Sequence, residues 1–269
     1  LPLIYEMAET FMGLDPAKDP IPVRAGVHYT MGGIRVDGTC ESSLPGLYAI
    51  GECSSVGIHG ANRLGSNSLT ELLVFGKMAG VKAAERAKNV APGNSASLLK
   101  QAQAIEERVM KLKTKTGGTE RIADIRKEMT KSMEDGCGIY RLEDTMQATC
   151  DKLGELRERF KNISIDDKSS VWNTDWLTAI ELDYQLDVAQ AMAHSALNRK
   201  ESRGAHQRLD GPDGAYTQRD DVNFLKHSDA FYVPGAAPRI TYGDVKITKS
   251  PPAARVYGAA GEKADQERK

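Results

Sequence analysis

His59-Gly-Ala-Asn-Arg-Leu-Gly-Ser-Asn-Ser-Leu-Thr-Glu-Leu72 reads as a loop that turns into a helix. Gly60 and Gly65 permit tight turns. Ser66, Asn67 and Ser68 are good N-cap residues, and Leu69, Leu72, Leu73 and Phe75 supply an apolar face for a helix reaching about Asn89. The first N–H groups of such a helix lack intrahelical partners and carry the positive end of its dipole, which suits an anion. Arg63 stands just before them with a planar fork of donors suited to a carboxylate. A site for a small acid beside a site for an electron-rich cofactor is one reading. A capped helix after a glycine-rich turn, with Arg63 on the surface, is the other.

Upstream, Leu1 to Arg24 carries Asp15-Pro16, Asp19-Pro20 and Ile21-Pro22, which predicts a helix end and an extended entry segment. A short β-like stretch from Val23 to Val27 leads into His28-Tyr-Thr-Met-Gly-Gly33, where paired glycines let the backbone press against a flat ligand. A lone histidine such as His28 is more often structural than a ligand. Asp37-Gly38 marks a turn within Val36 to Ser43. Leu47-Tyr-Ala-Ile50 reads as a short strand ending in Gly51-Glu52, an acid placed to accept from sugar-like hydroxyls.

Downstream, Ala91-Pro-Gly-Asn-Ser95 is the clearest boundary. Amphipathic helices are predicted over Ser97–Lys115, Thr119–Asp135, Glu143–Asn162 and Asn173–Arg199, with Thr119 and Asn173 as N-caps and Gly117-Gly118 and Gly136 as stops. Leu98, Ala102, Ile105, Val109 and Leu112 recur at helical spacing, and short loops imply an antiparallel bundle. Its charges read as a solvated face or as a docking surface. Arg199, Lys200, Arg203 and Arg208 alternate with Glu201, His206 and Asp210, and Arg219-Asp220-Asp221 follows, a pattern that reads as an ion-pair network or a partner interface in preference to an edge of the active site. Ala230–Val233 and Ile240–Thr248 are predicted strands, and Gly261–Lys269 a charged, disordered tail.

Thirty-six basic and 37 acidic side chains leave no polyanion-binding surface, so no nucleic acid is expected. No apolar run is long enough to span a membrane, and Leu1-Pro-Leu-Ile-Tyr-Glu is no signal peptide. Cys40, Cys53, Cys137 and Cys150 have no metal-ligand or disulfide spacing, His206 and His227 have none either, and no metal is expected.

His28 to Gly33, Gly51-Glu-Cys-Ser-Ser55, the run His59 to Leu69, Lys200-Glu-Ser-Arg-Gly-Ala-His206 and Arg219 to His227 resemble, in order and spacing, signatures of the succinate dehydrogenase/fumarate reductase flavoprotein subunits. Taken together they resemble the bacterial fumarate reductase branch. The resemblance implies an α+β/α fold: the end of a capping domain (1–27), the C-terminal part of an FAD-binding domain (28–90), an antiparallel helix bundle (91–199) and a small mixed C-terminal domain with a disordered tail (200–269). It implies FAD as cofactor, with Glu52 at the ribityl chain and backbone contacts to the flavin from Ser68 and Leu69. It implies fumarate/succinate as substrate, its carboxylates held by His28 and Arg63, and Cys53 as a small buried residue beside the cofactor. It further implies an iron–sulfur subunit as partner, membrane anchor subunits behind that one, and a peripheral place on the cytoplasmic side of a bacterial inner membrane. The family's covalent flavin histidine and proton-donor arginine have no counterpart in these residues, and there is no G-x-G-x-x-G. The chain does not begin with Met and is expected to start within a longer subunit and to be inactive alone. Succinate oxidation, an L-aspartate oxidase and a non-catalytic interaction module are the alternatives.

Overall fold

The computed structural model describes residues 1–24, 26–249 and 252. Helix and strand are mixed, and regular structure begins with α1 (Pro2–Met12), which stops at a left-handed Gly13. The predicted strand at 23–27 is not there: its described residues are irregular. They have no neighbouring strand to complete their backbone hydrogen bonds. Leu47–Ile50 likewise forms only a single bridge, Tyr48 to Glu41. Backbone bonds from Leu47 N–H to the Leu44 carbonyl (3.0 Å) and from Ser42 N–H to the Leu47 carbonyl (2.8 Å) fold the segment into a knot. The expected turn at Asp37 anchors that knot, with its side chain accepting from Thr39 and Glu41 N–H groups. A 3-10 turn over Gly51–Cys53 follows, and β1 (Ile34–Arg35) then pairs in parallel with β2 (Ser54–Ser55).

Helix α2 spans Asn67–Asn89. Its N-cap, Ser66, sits at φ 65°, and no side chain caps this end. The leucine face departs from expectation: Leu69, Leu72 and Leu73 are exposed, and Glu71 and Ala79 are buried instead. The chain packs Tyr29 on the Glu71 side and the Gly51 turn against Leu72, and leaves Leu69 and Leu73 largely open.

The main core lies in three helices, α4 (Ile122–Cys137), α5 (Glu143–Phe160) and α6 (Thr174–Asn198). Ala179, Leu182, Leu186, Ala189, Ala193 and Ala196 repeat three and four apart down the inner face of α6 and meet Met146, Cys150, Leu153 and Leu156 of α5. Neighbours run antiparallel. Thr149 of α5 bonds Ser132 of α4, while Arg159 further along α5 reaches back to Glu128. Arg157 pairs with Asp183 and Asp187 of α6. Charges that read as a solvated face therefore partly link helices.

Three expectations need correction here. Helix α3 (Ser95–Thr114) is capped by Asn94 and joins the bundle by its last turns only; Leu98 and Ile105 are exposed. Thr119 caps nothing, because Glu120 is drawn into a parallel bridge with Ile163 and α4 starts at Ile122. Gly136 is not a stop but lies inside α4, where a Cβ would collide with the Thr149 hydroxyl. Asn173 does cap α6, accepting from Trp176 N–H at 2.7 Å.

Two small sheets complete the chain. β3 (Tyr140–Arg141) pairs in parallel with β4 (Gln207–Arg208), tying the α4–α5 connection to the segment after α6. β5 (Lys226–Phe231) and β6 (Arg239–Asp244) form an antiparallel hairpin, so the predicted strands exist with shifted ends. The predicted tail, Gly261–Lys269, lies outside the described residues.

Candidate functional site

The loop before α2 and the segment after residue 27 meet around one buried acid. Glu71, 2 % exposed, lies one turn inside α2. Its Oε2 accepts from His59 Nε2–H at 2.6 Å and from the Tyr29 hydroxyl at 3.2 Å. A carboxylate has only acceptors to offer, so the His59 proton must be on Nε2. The Tyr29 and His59 rings stand edge to face, with centroids 5.8 Å apart. Burial first, and the Glu71 charge next, raise the Tyr29 hydroxyl above its usual pKa.

Arg63 lies over the other side of this cluster. Its guanidinium carbon is 4.6 Å from the Tyr29 ring centroid, a cation–π arrangement. Nη1–H donates to the Leu64 carbonyl at 3.0 Å. Nε is buried and has no hydrogen-bond partner. An unpaired buried donor on a cation is costly, which makes this group a ready receptor for an anionic acceptor. Arg63 is thus half-buried rather than wholly on the surface.

Among the other predicted positions, His28 is exposed and adjoins Tyr29 in the chain. Ser68 and Leu69 occupy the first turn of α2, half-buried and exposed respectively. Glu52 accepts from Thr30 N–H at 2.9 Å, which binds the Gly51–Cys53 turn to the His28 segment. Gly33 presses against the Cys53 carbonyl, so this glycine serves a close backbone approach between two segments of the chain. Cys53 is exposed rather than buried, its thiol turned back on the Ile50 carbonyl at 3.4 Å.

Behind the loop stands the charged run after α6. Glu201, fully buried, receives Arg199 (2.6 Å) and a bidentate Arg203 (2.8 and 2.9 Å). Arg203 also pairs with Asp221 at 2.6 Å. Arg208, 1 % exposed, is met by Asp210. The ion-pair reading of this run holds. From it a tight turn, Arg203 to His206, projects onto the loop before α2: Ala205 N–H donates to the Ala61 carbonyl at 2.9 Å. His206 accepts from Arg141 on Nδ1 (2.8 Å) and donates from Nε2 to the Arg199 carbonyl (3.0 Å). Burial pushes its pKa down to about 4, so the ring is neutral at ordinary pH. No group of three potential metal ligands occurs among the described residues.

Sequence reasoning missed Tyr29, His59 and Glu71 as a unit. A signal was present: Glu71 interrupts the run Leu69, Leu72, Leu73, and a lone acid amid leucines at a helix start invites the question of what it holds.

Residues 1–69 match the family described as "FAD binding domain", and residues 126–257 the one described as "Fumarate reductase flavoprotein C-term". The fumarate reductase flavoprotein subunit of Serratia sp. is 61 % identical over 270 residues, 99 % of this chain and 44 % of that protein. A solved structure of E. coli quinol fumarate reductase FrdA superposes with a TM-score of 0.90 at 57 % identity, over 96 % of this chain and 43 % of that one. The succinate dehydrogenase flavoprotein subunit of Rickettsia felis is 40 % identical over 276 residues, 96 % of this chain and 45 % of that protein. The chain thus spans less than half the length of the relatives it matches.

Proposed function

Since the chain belongs to the succinate dehydrogenase/fumarate reductase flavoprotein family, we propose that it forms the dicarboxylate-binding, flavin-side part of a fumarate-reducing flavoprotein. The observation that carries this reading is the half-buried Arg63, whose buried Nε has no hydrogen-bond partner among the described residues, beside the uncapped start of α2. The residues present fit both groups the family brings. Arg63 and His28 would take the carboxylates of fumarate or succinate. Glu52 and the first-turn N–H groups of Ser68 and Leu69 would hold FAD. When bound and reduced, the flavin would supply a hydride to the carbon–carbon double bond, with the accompanying proton coming from a donor that these residues do not include.

The chain's own contribution is binding and orientation. Arg63, fixed by the Leu64 carbonyl and the Tyr29 face, presents a rigid cation to one carboxylate. Each charge-assisted hydrogen bond of this kind contributes about 1.5–3 kcal/mol. His28 would add a donor for the same substrate. The positive end of α2 would stabilise negative charge brought to it, and no acid lies in its first turn to oppose that. The exposed Leu69, Leu72 and Leu73 would be covered by the remainder of the FAD-binding domain. On this reading residues 1–27 end a capping domain, 28–90 belong to the FAD-binding domain, 91–199 form the helical domain and 200–269 the C-terminal one. Electrons would arrive through an iron–sulfur subunit from membrane anchors, with this subunit peripheral on the cytoplasmic side. No helix among the described residues is long and apolar enough to cross a membrane.

Arg63→Lys in the full-length subunit within its complex tests the assignment. Lysine keeps the charge and loses the fork. A fall in kcat/KM for fumarate of roughly tenfold or more, with FAD retained, is expected from the loss of even one charge-assisted bond. An unchanged kcat/KM removes Arg63 from the substrate site. The Rickettsia felis relationship favours a second reading, succinate oxidation at the same site; comparing both directions with native quinones separates the two.

A further inference from the structure

We infer that Glu71 is a positioning residue for the dicarboxylate site, acting through Tyr29 and His59 to hold Arg63 in its binding orientation; this rests on the substrate reading above. Glu71 contacts no position where substrate is proposed to bind. It is 2 % exposed and bonded to two aromatic side chains from two separate segments. Those segments carry the two proposed substrate residues: Tyr29 follows His28, and His59 precedes Arg63 by one turn of chain. One carboxylate oxygen thus joins the His28 segment to the Arg63 loop and anchors both to the rigid start of α2.

The link to Arg63 is direct. The Tyr29 ring has a free torsion about its Cα–Cβ bond, and its hydroxyl bond to Glu71 at 3.2 Å together with the edge of His59 removes that freedom. Only with the ring so held does its face lie under the guanidinium at 4.6 Å. Arg63 has one other described anchor, the Leu64 carbonyl, which restrains Nη1 but leaves rotation about that bond. Releasing the ring therefore releases the fork, and with it the alignment of Nε and Nη2 toward a carboxylate. Alignment of a bidentate fork is where its specificity lies. A buried acid also costs desolvation unless its bonds are made, so the cluster persists as a unit rather than as three independent contacts.

The test uses the full-length subunit in its complex, with FAD content measured spectroscopically and succinate affinity by the flavin absorbance change. Glu71→Gln keeps shape and removes charge. Succinate Kd is expected to rise about tenfold, equivalent to ~1.4 kcal/mol, with FAD content unchanged. Tyr29→Phe keeps the ring and loses the hydroxyl; a smaller rise is expected. The double variant should be little weaker than Glu71→Gln alone, because both changes weaken one shared connection, from Tyr29 to residue 71. Additive losses overturn the inference, as does loss of FAD in Glu71→Gln, which marks a structural residue. Where Glu71→Gln does not assemble, Tyr29→Phe decides alone: an unchanged Kd overturns the inference. Arg63→Lys is the reference. If it binds succinate normally, the substrate reading itself fails; if it loses affinity while Glu71→Gln does not, only the positioning role fails.

Discussion

Gly204→Ala tests whether the charged C-terminal network buttresses the substrate-side loop. Gly204 has φ 58°, and a Cβ there would lie 2.5 Å from the Ala61 carbonyl carbon and oxygen and 2.8 Å from the Ala61 Cβ. Alanine in the left-handed region costs about 1–2 kcal/mol, and the overlap about 1–3 kcal/mol if neither side moves. One side will move, and the holding interactions decide which. The turn from Arg203 to His206 is held by a bidentate Arg203–Glu201 pair, Arg203–Asp221 and Arg141–His206, charge-assisted bonds of about 1.5–3 kcal/mol each. Ala61 is held to it by a single backbone bond, from Ala205 N–H, of about 0.5–1.5 kcal/mol. The loop should therefore yield first, breaking that bond and displacing Arg63 two residues on. The expected outcome in the full-length subunit is a succinate Kd raised about five- to tenfold. Thermal stability should fall by only about 1.5–3.5 kcal/mol, the left-handed strain plus the lost bond. Titration with succinate and a thermal melt on the same sample measure both. A large loss of stability with normal succinate affinity would show that the turn gives way instead, and the buttress argument would be wrong.

Other consequences can be checked directly. His28→Ser should raise KM for fumarate with FAD still bound; loss of flavin would make His28 structural. Gly136→Ala should destabilise the helical unit by about 1–3 kcal/mol through overpacking against Thr149, without changing succinate affinity in samples that remain folded. His206, at about 4 when folded against the ordinary 6.5 of an exposed imidazole, is neutral in both states well above 6.5. As pH falls from 6.5 toward 4 the unfolded chain takes up the proton first, so stability drops by about 1.4 kcal/mol per pH unit across that window. His206→Gln should flatten this stretch of a stability-versus-pH curve. Peptide mapping after brief alkylation should find Cys53 labelled well before Cys40, Cys137 and Cys150, which are buried; burial also pushes the Cys150 thiol up to about 12.

The helices were legible because their signals are local. Asn173 caps α6, the periodic alanines and leucines of α6 face the core, and the Ala91–Ser95 break separates α2 from α3. What escaped was set by contacts between distant segments. Gly136 looks like a stop until α5 is laid against it. Thr119 has cap chemistry, yet the pairing of Glu120 with Ile163 delays the helix. Residues 47–50 have strand composition but no neighbouring strand to pair with. The leucine face of α2 was recognised as apolar, but among the described residues only the Gly51 turn packs against it, at Leu72, and Leu69 and Leu73 stay exposed.

The site shows the same division at finer scale. Arg63 and the start of α2 stand out in sequence because glycines, caps and a lone arginine are compressed into a few residues. Glu71, His59 and Tyr29 are spread over 42 positions, and each alone has an ordinary explanation. Only their convergence gives the acid a purpose. A buried carboxylate without such partners would cost several kcal/mol, so its presence amid leucines already implied donors from elsewhere in the chain. The structure supplies them from the two segments that flank the proposed substrate. The same logic reaches outward: Glu201 gathers Arg199 and Arg203, and the turn they stabilise bears on Ala61. Two buried acids thus bear on the loop that carries Arg63, Glu71 through His59 and Glu201 through the turn bonded to Ala61. On the positioning role proposed above, charge placed in the interior here specifies where one half-buried cation points, and substitutions that neutralise either acid should be read first in ligand affinity and only second in stability.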